Sequence, residues 1–155
     1  MLEIERKFLV DSMVFIEGAI SKTKIVQGFL NTHPERTVRI RIKGEKGFIT
    51  VKGISNDSGT TRFEWESEID IKDAEKLLQL CEKGIIEKTR YLVPIGNHAF
   101  EVDIFDGENK GLILAEVELN NENESIQKPN WLGNEVTGDV RYYNSQLSSN
   151  PFKTW

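Results

Sequence analysis

The sequence predicts a mainly β (α+β) fold, in which antiparallel strands form a barrel around a charged lumen and a few helices cover the outside. Charged and apolar residues alternate in strand after strand, and side chains two positions apart share one face of a strand. The charges also separate by strand, so that some strands carry almost only bases and others almost only acids. Short turns join the strands, which suits an antiparallel meander and not βαβ units.

Eight segments show the alternation of a strand and are bounded by turn residues. In chain order they are Glu3 to Val10, Lys24 to Leu30, Thr37 to Lys43, Gly47 to Gly53, Thr61 to Ile69, Ile86 to Pro94, His98 to Phe105 and Leu112 to Leu119. The clearest connection is the hairpin between the third and fourth strands, where Gly44 and Gly47 supply the positive backbone angles of a tight turn. If the apolar faces pack outward, the charged faces must line the barrel interior.

Helices are predicted in three places. A polar stretch between Asp11 and Gly18 is expected to form a short one. The clearest helix runs from Asp73 to Lys83, because apolar residues recur at helical spacing and Gly84 follows as a C-terminal cap. Its apolar stripe should cover the outside of the barrel. The tail from Asn120 to Gly138 is polar and is expected to loop before a short helix around Asp139 to Leu147.

Length and composition fit a single domain over residues 1–155. The chain is 38% hydrophobic and 29% charged, and its formal net charge of -5 argues against a protein that coats nucleic acid. The single cysteine, Cys81, excludes an internal disulfide and is expected to pack, not to react. Neither a signal peptide nor an apolar run of roughly 18 residues is visible, so no membrane association is expected and the cytoplasm is the expected location.

The first strand introduces the candidate site. Its face carries Glu3, Glu5 and Lys7, while Arg6 points to the other face, where it is expected to pair with an acid or meet solvent. Taken alone, Glu-x-Glu-x-Lys also describes the solvated side of an ordinary sheet, and that is its more common meaning. The recurrence of segregated charges in later strands favours a lumen built for a metal-bound anion.

The charges of the lumen must be hydrated and balanced, because a buried unpaired ion costs several kcal/mol. Arginine offers a rigid fork for phosphate oxygens and lysine a compact charge, which suits a substrate bearing several phosphates. The candidate substrate-binding bases are Lys7, Arg39, Arg41, Lys52, Lys88 and Arg90. Carboxylates are hard oxygen ligands that suit Mg²⁺ or Mn²⁺. The candidate metal ligands are Glu3, Glu5, Asp103, Glu116 and Glu118.

Four further charged residues belong to the candidate site. Glu64 and Glu66 either coordinate metal or balance the arginines of the lumen, and the balancing role is favoured. Glu101 shares a strand face with Asp103. Arg141 lies on the predicted terminal helix, next to two tyrosines for which packing is at least as common a role as substrate contact.

In this arrangement of motifs the chain resembles the CYTH superfamily, the triphosphate tunnel metalloenzymes, and most of all its compact bacterial inorganic triphosphatase branch. The opening Glu3-Ile4-Glu5-Arg6-Lys7 matches the Glu-x-Glu-x-Lys signature of that family. The other matching motifs, in the family's order, are Arg39-Ile40-Arg41, Lys52, Glu64-Trp65-Glu66, Lys88-Thr89-Arg90, Glu101-Val102-Asp103 and Glu116-Val117-Glu118. The resemblance implies an eight-stranded antiparallel tunnel in which bases hold a triphosphate and acids bind one or two divalent metals. In relatives the terminal helix can plug one end.

The function expected from the resemblance is metal-dependent hydrolysis of inorganic tripolyphosphate to pyrophosphate and phosphate. Lys7, Lys88 and Arg41 are the expected catalytic groups, which stabilise and neutralise the charge that develops. The partner is then tripolyphosphate or another triphosphate, with no nucleic acid and no membrane. The sequence leaves open the oligomeric state, a homodimer included, and whether Mg²⁺ or Mn²⁺ serves.

Three alternatives remain at this point. Relatives that are class IV adenylate cyclases usually carry residues ahead of the signature, often with a His-Phe pair, whereas this chain begins at Met1. Hydrolysis of thiamine or nucleoside triphosphates would need a ring to hold the base, but Trp65 and Tyr91 fall on predicted outward faces, where packing in the core is expected. Phe29 stands where compact relatives often have tyrosine. A non-catalytic sensor of polyphosphate or nucleotides would gain nothing from carboxylates that repel phosphate.

Overall fold

The computed structural model of the protein describes residues 1–155, and its main element is an antiparallel β-barrel. The strands are β1 Leu2–Val10, β2 Ser21–Asn31, β3 Thr37–Lys43, β4 Lys46–Lys52, β5 Thr61–Ile69, β6 Ile86–Ile95, β7 His98–Phe105, β8 Ile113–Glu118 and β9 Leu132–Glu135. The helices are α1 Ile71–Gln79, α2 Asn144–Leu147 and four 3-10 turns at Met13–Gly18, Gly107–Asn109, Val140–Tyr142 and Phe152–Thr154. Neither α-helix has the length and apolarity to cross a bilayer.

The barrel closes at β1, which pairs on both of its edges. The strand order is β5-β4-β3-β2-β6-β7-β8-β1, and β1 pairs with β8 through residues 5–9. The first residues of β1, Leu2 to Ile4, pair with Phe63 to Thr61 of β5 and so complete the ring. The predicted eight-stranded antiparallel barrel is confirmed, and its strands correspond to the eight segments that alternate in sequence.

The ninth strand corrects the expected loop between Asn120 and Gly138. Residues Leu132–Glu135 pair with the end of β1, opposite Phe8 and Val10. Such a short strand contains too few positions to show alternation, and so its sequence resembles a loop. Beside it, Arg6 donates two hydrogen bonds to the carboxylate of Glu135, at 2.7 and 2.8 Å. Arg6 therefore faces outward and meets an acid, as its strand parity predicts.

The larger apolar cluster lies outside the barrel, on β1, β6, β7 and β8. Its members are Phe8, Phe15, Val93, Phe100, Val102, Ala115, Val117, Leu119 and Trp131. Phe8 follows Lys7 in the strand, and Val117 stands between Glu116 and Glu118, so these apolar side chains point away from the charged face. Hydrophobic burial on this side therefore stabilises the barrel from its outer surface.

A second apolar cluster closes one end of the barrel interior. Its members are Phe29, Ile86, Phe105, Leu112, Leu114, Tyr142 and Leu147. Ile86 has the strand parity of Lys88, and Leu114 has that of Glu116, which places both on the inward face. The C-terminal segment contributes Tyr142 and Leu147 to this cluster. The lumen is consequently charged over only part of its length, and its charged part forms a cavity above an apolar floor.

Helix α1 covers the outside of the barrel, as predicted, but begins and ends earlier than the predicted range of 73–83. The Asp70 carboxylate accepts a hydrogen bond from Lys72 N at 2.8 Å and so caps the first turn. Ala74 is fully buried, and a Cβ added at Gly47 would stand 2.6 Å from its Cβ, so glycine allows the helix to approach β4. Cys81 lies just beyond the helix and is partly buried.

The predicted terminal helix over 139–147 is broken in the structure. A 3-10 turn at Val140–Tyr142 is followed by Tyr143 in extended conformation, and only Asn144–Leu147 is α-helical. The carbonyl of Tyr142 accepts a hydrogen bond from the Lys7 ammonium at 3.2 Å. This carbonyl is therefore bound to a lysine of the barrel and not to a backbone N–H of a continuing helix.

Gly84 fixes the approach of the C-terminal segment to the strand β6. Its φ is +101°, and a Cβ there would lie 1.8 Å from the carbonyl oxygen of Ser148. Gly84→Ala is therefore expected to lower the free energy of unfolding by roughly 3 kcal/mol, from backbone strain together with overpacking. Gly107→Ala is the matched control, because Gly107 has φ +60° and no atom within 4 Å of the added Cβ. Urea unfolding of both variants checks this, and equal losses would contradict it.

Candidate active site

The charged part of the lumen is a cavity of about 380 Å³. The bases that line it are Lys7, Arg39, Arg41, Lys43, Lys52, Arg62, Lys88 and Arg90. The acids that line it are Glu3, Glu5, Glu64, Glu66, Glu101, Glu116 and Glu118. The structure thus brings together all six candidate bases and four of the five candidate metal ligands, with Asp103 as the exception. It also adds Arg62 and Lys43, which share strand faces with predicted site residues and were detectable by parity.

Most of the bases and acids of the cavity lie on different walls, although Lys7 stands on β1 with the acids and Lys52 pairs with Glu3 at 3.1 Å. The basic wall consists of Arg39 and Arg41 on β3 with Lys88 and Arg90 on β6. The acidic wall consists of Glu3, Glu5, Glu116 and Glu118 on β1 and β8, where Glu5 lies opposite Glu118 in the register. A phosphate chain with cations along one side would satisfy both walls at once.

Arg39 has a donor that nothing in the protein satisfies. Its Nη2 donates to Thr50 Oγ1 at 3.1 Å and to Glu66 Oε2 at 3.3 Å, whereas its buried Nε has no hydrogen-bond partner. An unpaired buried donor of a guanidinium is costly. Burial also lowers the pKa of Arg39, which shows that the charged form lacks compensation. Arg39 lines the cavity, so an anion there would compensate the charge of its guanidinium.

Arg41 also lies in surroundings that do not balance its positive charge. Its Nε donates to Gln27 Oε1 at 3.0 Å. Burial, followed by repulsion from Arg39 and Arg90, lowers the pKa of Arg41 to about 9. Because arginine normally stays charged far above this pH, the basic wall concentrates cations beyond what its own surroundings balance. Such a wall favours a polyanion.

Lys88 is almost completely buried at the base of this wall. Its Nζ donates to Asp103 Oδ2 at 2.8 Å and to Asn144 Oδ1 at 3.0 Å. Burial is the main cause that lowers the pKa of Lys88 to about 7, and Asp103 opposes it. A lysine whose pKa is lowered toward neutrality is suited to proton transfer.

Asp103 does not fit the role of metal ligand that the sequence suggests. Both of its oxygens accept hydrogen bonds from Arg90, at 2.8 and 2.9 Å, and one of them also accepts from Lys88. Although burial alone would raise it, Arg90 and then Lys88 lower the pKa of Asp103 to about 2. The side chain does not line the cavity. Asp103 is therefore expected to orient Arg90 and Lys88, and the set of metal ligands is proposed without it.

The acidic wall contains carboxyl groups whose pKa values are raised. Burial, followed by repulsion from Glu116, raises the pKa of Glu5 well above its usual range. Glu3 and Glu64 form a similar pair, in which burial and Glu3 raise the pKa of Glu64 to about 7. Lys52 already lies beside the second pair, with its Nζ 3.1 Å from Glu3 and 3.7 Å from Glu64, and further positive charge at either pair would favour the ionised carboxylates. This is the chemistry of a cation site.

The carboxylates fit a hard divalent cation that is completed by substrate. No three acidic, histidine or cysteine side chains converge into a ready-made metal cage. Mg²⁺ does not need one, because it keeps several waters and is held by one or two carboxylates together with phosphate oxygens. Glu3, Glu5, Glu116 and Glu118 line the cavity and are the residues that could hold such an ion, with Glu64 also in the lining. The donor set is consistent with Mg²⁺ or Mn²⁺.

Of the remaining candidate residues, Glu66 and Glu101 line the cavity and Arg141 does not. Glu66 accepts hydrogen bonds from Arg39 and Thr50, and Glu101 accepts one from Arg90 at 3.2 Å, so both balance arginines. Arg141 does not line the cavity: it is exposed and pairs with Asp139 at 2.8 Å. Its expected place in the site is therefore wrong, because the break in the terminal helix turns it outward.

Comparison with known proteins decides the family. The CYTH domain matches residues 1–145. The chain belongs to the CYTH domain family. This CYTH protein is 43% identical to the inorganic triphosphatase of Acetivibrio thermocellus, over 99% of the chain and 97% of that protein. It is 39% identical to the inorganic triphosphatase of Nitrosomonas europaea, over 96% of the chain and 97% of that protein.

Solved structures support the same fold. The crystal structure of the inorganic triphosphatase NE1496 superimposes on the CYTH protein with a TM-score of 0.68 at 35% identity, and covers 94% of this chain and 93% of that one. The PH1012 protein from Pyrococcus horikoshii gives a TM-score of 0.62 at 24% identity, over 77% of this chain and 80% of that one. The second likeness bears on the fold alone.

Proposed function

We propose that the protein hydrolyses inorganic tripolyphosphate to pyrophosphate and phosphate with a divalent metal. The observation that carries this proposal is the cavity itself, where buried cations on one wall face carboxyl groups on the other. The lowered pKa of Arg41 indicates that negative charge would stabilise the basic wall, and the raised pKa of Glu5 indicates that positive charge would stabilise the acidic wall. A metal-bound triphosphate carries both kinds of charge, and the two related inorganic triphosphatases are consistent with it.

The acidic wall favours catalysis over a sensor that only binds phosphate. Carboxylates repel phosphate unless a cation intervenes, so a simple binding site would be weakened by them. A bound Mg²⁺ or Mn²⁺ would neutralise charge on the phosphate oxygens and make water a better nucleophile. Glu3, Glu5, Glu116 and Glu118 would hold it, and their wall lies across the cavity from the cations that orient the phosphates.

The basic residues have different roles in this proposal. Arg39 and Arg41 present donors to the phosphate chain and stabilise the charge that develops on its oxygens. The pKa of Lys88 is lowered toward neutrality, which suits neutralisation of the leaving pyrophosphate. Lys7 is held by the carbonyl of Tyr142 and lies over the ring of Tyr143, 5.3 Å from its centroid, at the cavity wall.

The two aromatic residues that line the cavity, Phe29 and Tyr143, offer no free face for a nucleobase or thiamine, and Phe29 is buried in the apolar floor. Trp65 is half exposed on the outer surface, so its expected burial in the core is wrong, although its outward direction is right. Tyr91 packs against Phe15 at 5.6 Å between ring centroids, outside the barrel. Tyr143 does line the cavity, but Lys7 and Arg62 lie against its ring. A substrate without a base therefore fits best.

A substrate panel tests the proposal. Phosphate release is measured from tripolyphosphate, ATP and thiamine triphosphate, each with Mg²⁺, Mn²⁺ or chelator, and cyclic AMP is measured in the ATP reactions. We expect kcat/KM for tripolyphosphate to exceed the other values by at least about tenfold. Formation of cyclic AMP as the main reaction would assign a cyclase instead. Tight, metal-independent binding of tripolyphosphate without turnover would assign a sensor.

The affinity for Mn²⁺ is expected to rise with pH and to go on rising through pH 7. Metal binding requires ionised carboxylates, while Glu5 and Glu64 keep their protons above the usual range because their pKa values are raised, that of Glu64 to about 7. Protons therefore compete with the metal at acid pH, and this competition ends once both groups are ionised. Calorimetric titration between about pH 5 and pH 8 checks this. Glu64→Gln should flatten the upper part of the curve, and a flat curve for the unaltered protein would contradict the assignment.

A further inference from the structure

Two neutral amides connect the cations of the basic wall. Strand β2 lies between β3 and β6, and its inward residue Gln27 is completely buried. Gln27 Oε1 accepts from Arg41 Nε at 3.0 Å, and Gln27 Nε2 donates to Asn144 Oδ1 at 2.8 Å. The same Asn144 oxygen accepts from Lys88 Nζ at 3.0 Å. An unbroken hydrogen-bonded chain therefore runs from Arg41 to Lys88.

The direction of every bond in this chain is fixed by its ends. An arginine or ammonium group can only donate, so Gln27 must present its oxygen to Arg41. Its NH₂ group then faces Asn144, which must accept with its own oxygen. The ammonium of Lys88 needs an acceptor at that same oxygen. Only one orientation of the two amides satisfies all three bonds, so the network holds both cations in one arrangement.

We infer that Gln27 and Asn144 are positioning residues for the reaction, which hold Arg41 and Lys88 in register on the basic wall. This inference rests on the proposed function. Gln27 does not line the cavity and so acts only through its neighbours. Asn144 comes from the C-terminal segment, and through it that segment becomes part of the site and not merely a cover over the apolar floor.

The chemistry of the wall explains why amides suit these two positions. A carboxylate at Asn144 would add a second negative partner to Lys88 beside Asp103 and would repel the phosphate chain. A base would add to the repulsion that already lowers the pKa of Arg41. A neutral side chain with both a donor and an acceptor can link two cations without changing the charge of the cavity.

The test is a double-mutant cycle with Gln27→Met, Asn144→Ala and the double variant. Methionine keeps the length of glutamine but breaks the chain between Arg41 and Asn144. We expect each single variant to lower kcat for tripolyphosphate about 10- to 100-fold, as loss of groups that orient catalytic side chains does, with KM nearly unchanged. The double variant should be little worse than the poorer single variant, because either change breaks the same network.

Gln146→Ala is the control, since Gln146 is an amide on the same helix whose side chain makes no hydrogen bond and does not line the cavity. It should retain full kcat. Thermal unfolding of each variant verifies the fold, and if Gln27→Met does not fold, the effect of Asn144→Ala on kcat decides. Additive losses, or kcat within about twofold of the parent in folded variants, would overturn the inference. Failure of the parent protein to hydrolyse tripolyphosphate would instead overturn the proposed function.

Discussion

Arg41→Ala is expected to lower kcat for tripolyphosphate about 100- to 1,000-fold, the effect of removing one preorganised donor from a charged transition state. The protein should remain folded, with an unchanged or slightly raised melting temperature. The reason is that Arg39 and Arg90 repel the Arg41 charge and, together with burial, lower its pKa to about 9. The native state without substrate therefore gains little from this cation. Steady-state phosphate release and thermal unfolding measure the two quantities.

Arg6→Ala provides the matched control for this prediction. Arg6 is an arginine of the same barrel, but it lies on the outer face and pairs with Glu135 at 2.7 Å. Its loss should leave turnover unchanged, since exposed ion pairs contribute little and this one lies outside the cavity. Near-normal turnover of Arg41→Ala would remove Arg41 from the site, and equal losses in both variants would point to a general effect on the barrel.

Removal of divalent cations is expected to lower turnover of tripolyphosphate at least about 1,000-fold, because metal stabilisation of phosphoryl transfer amounts to several kcal/mol. Re-addition of Mg²⁺ or Mn²⁺ should restore it. The cation should also raise the melting temperature of the protein without substrate, since it relieves the repulsion between Glu5 and Glu116 that raises the pKa of Glu5. Phosphate release in chelator and thermal unfolding with and without Mn²⁺ test the two statements.

Two glutamate variants separate a site effect from a general effect of the ion. Glu5→Gln should weaken the stabilisation by Mn²⁺, because a ligand of the acidic wall is lost. Glu135→Gln should keep it, since Glu135 lies outside the barrel beside Arg6. Full turnover in chelator would contradict the metal-dependent account, and an identical response of both variants would place the ion elsewhere.

Strand parity made most of the fold and site predictable. In an alternating strand, the sequence shows which side chains share a face. Lys7, Arg39 and Lys88 are therefore assigned to one lumen by sequence alone, and all three line the cavity. The same rule placed Arg6 outside. It also applies to Arg62, which shares its strand face with Glu64 and Glu66. Parity fails for β9, which is too short to show a period.

Parity does not reveal what a side chain meets across the lumen. Asp103 does face inward, but its register partner Arg90 occupies both of its oxygens, which only the pairing of β6 with β7 determines. Gln27 and Asn144 are neutral, so the pattern of charges does not identify them. Asn144 also comes from a segment that is distant in the sequence. Likewise, the apolar floor of the lumen depends on where the C-terminal residues return to the barrel.

The most direct test of the central claim is phosphorus NMR of tripolyphosphate incubated with the purified protein and Mg²⁺ or Mn²⁺, where the paramagnetic Mn²⁺ is removed on a chelating resin before the spectrum is recorded. The account predicts that the terminal and central phosphate signals of tripolyphosphate disappear together while pyrophosphate and orthophosphate form in equal amounts, and that chelator stops the reaction. Intact tripolyphosphate in the presence of either metal, or the same products at the same rate in chelator, would contradict it.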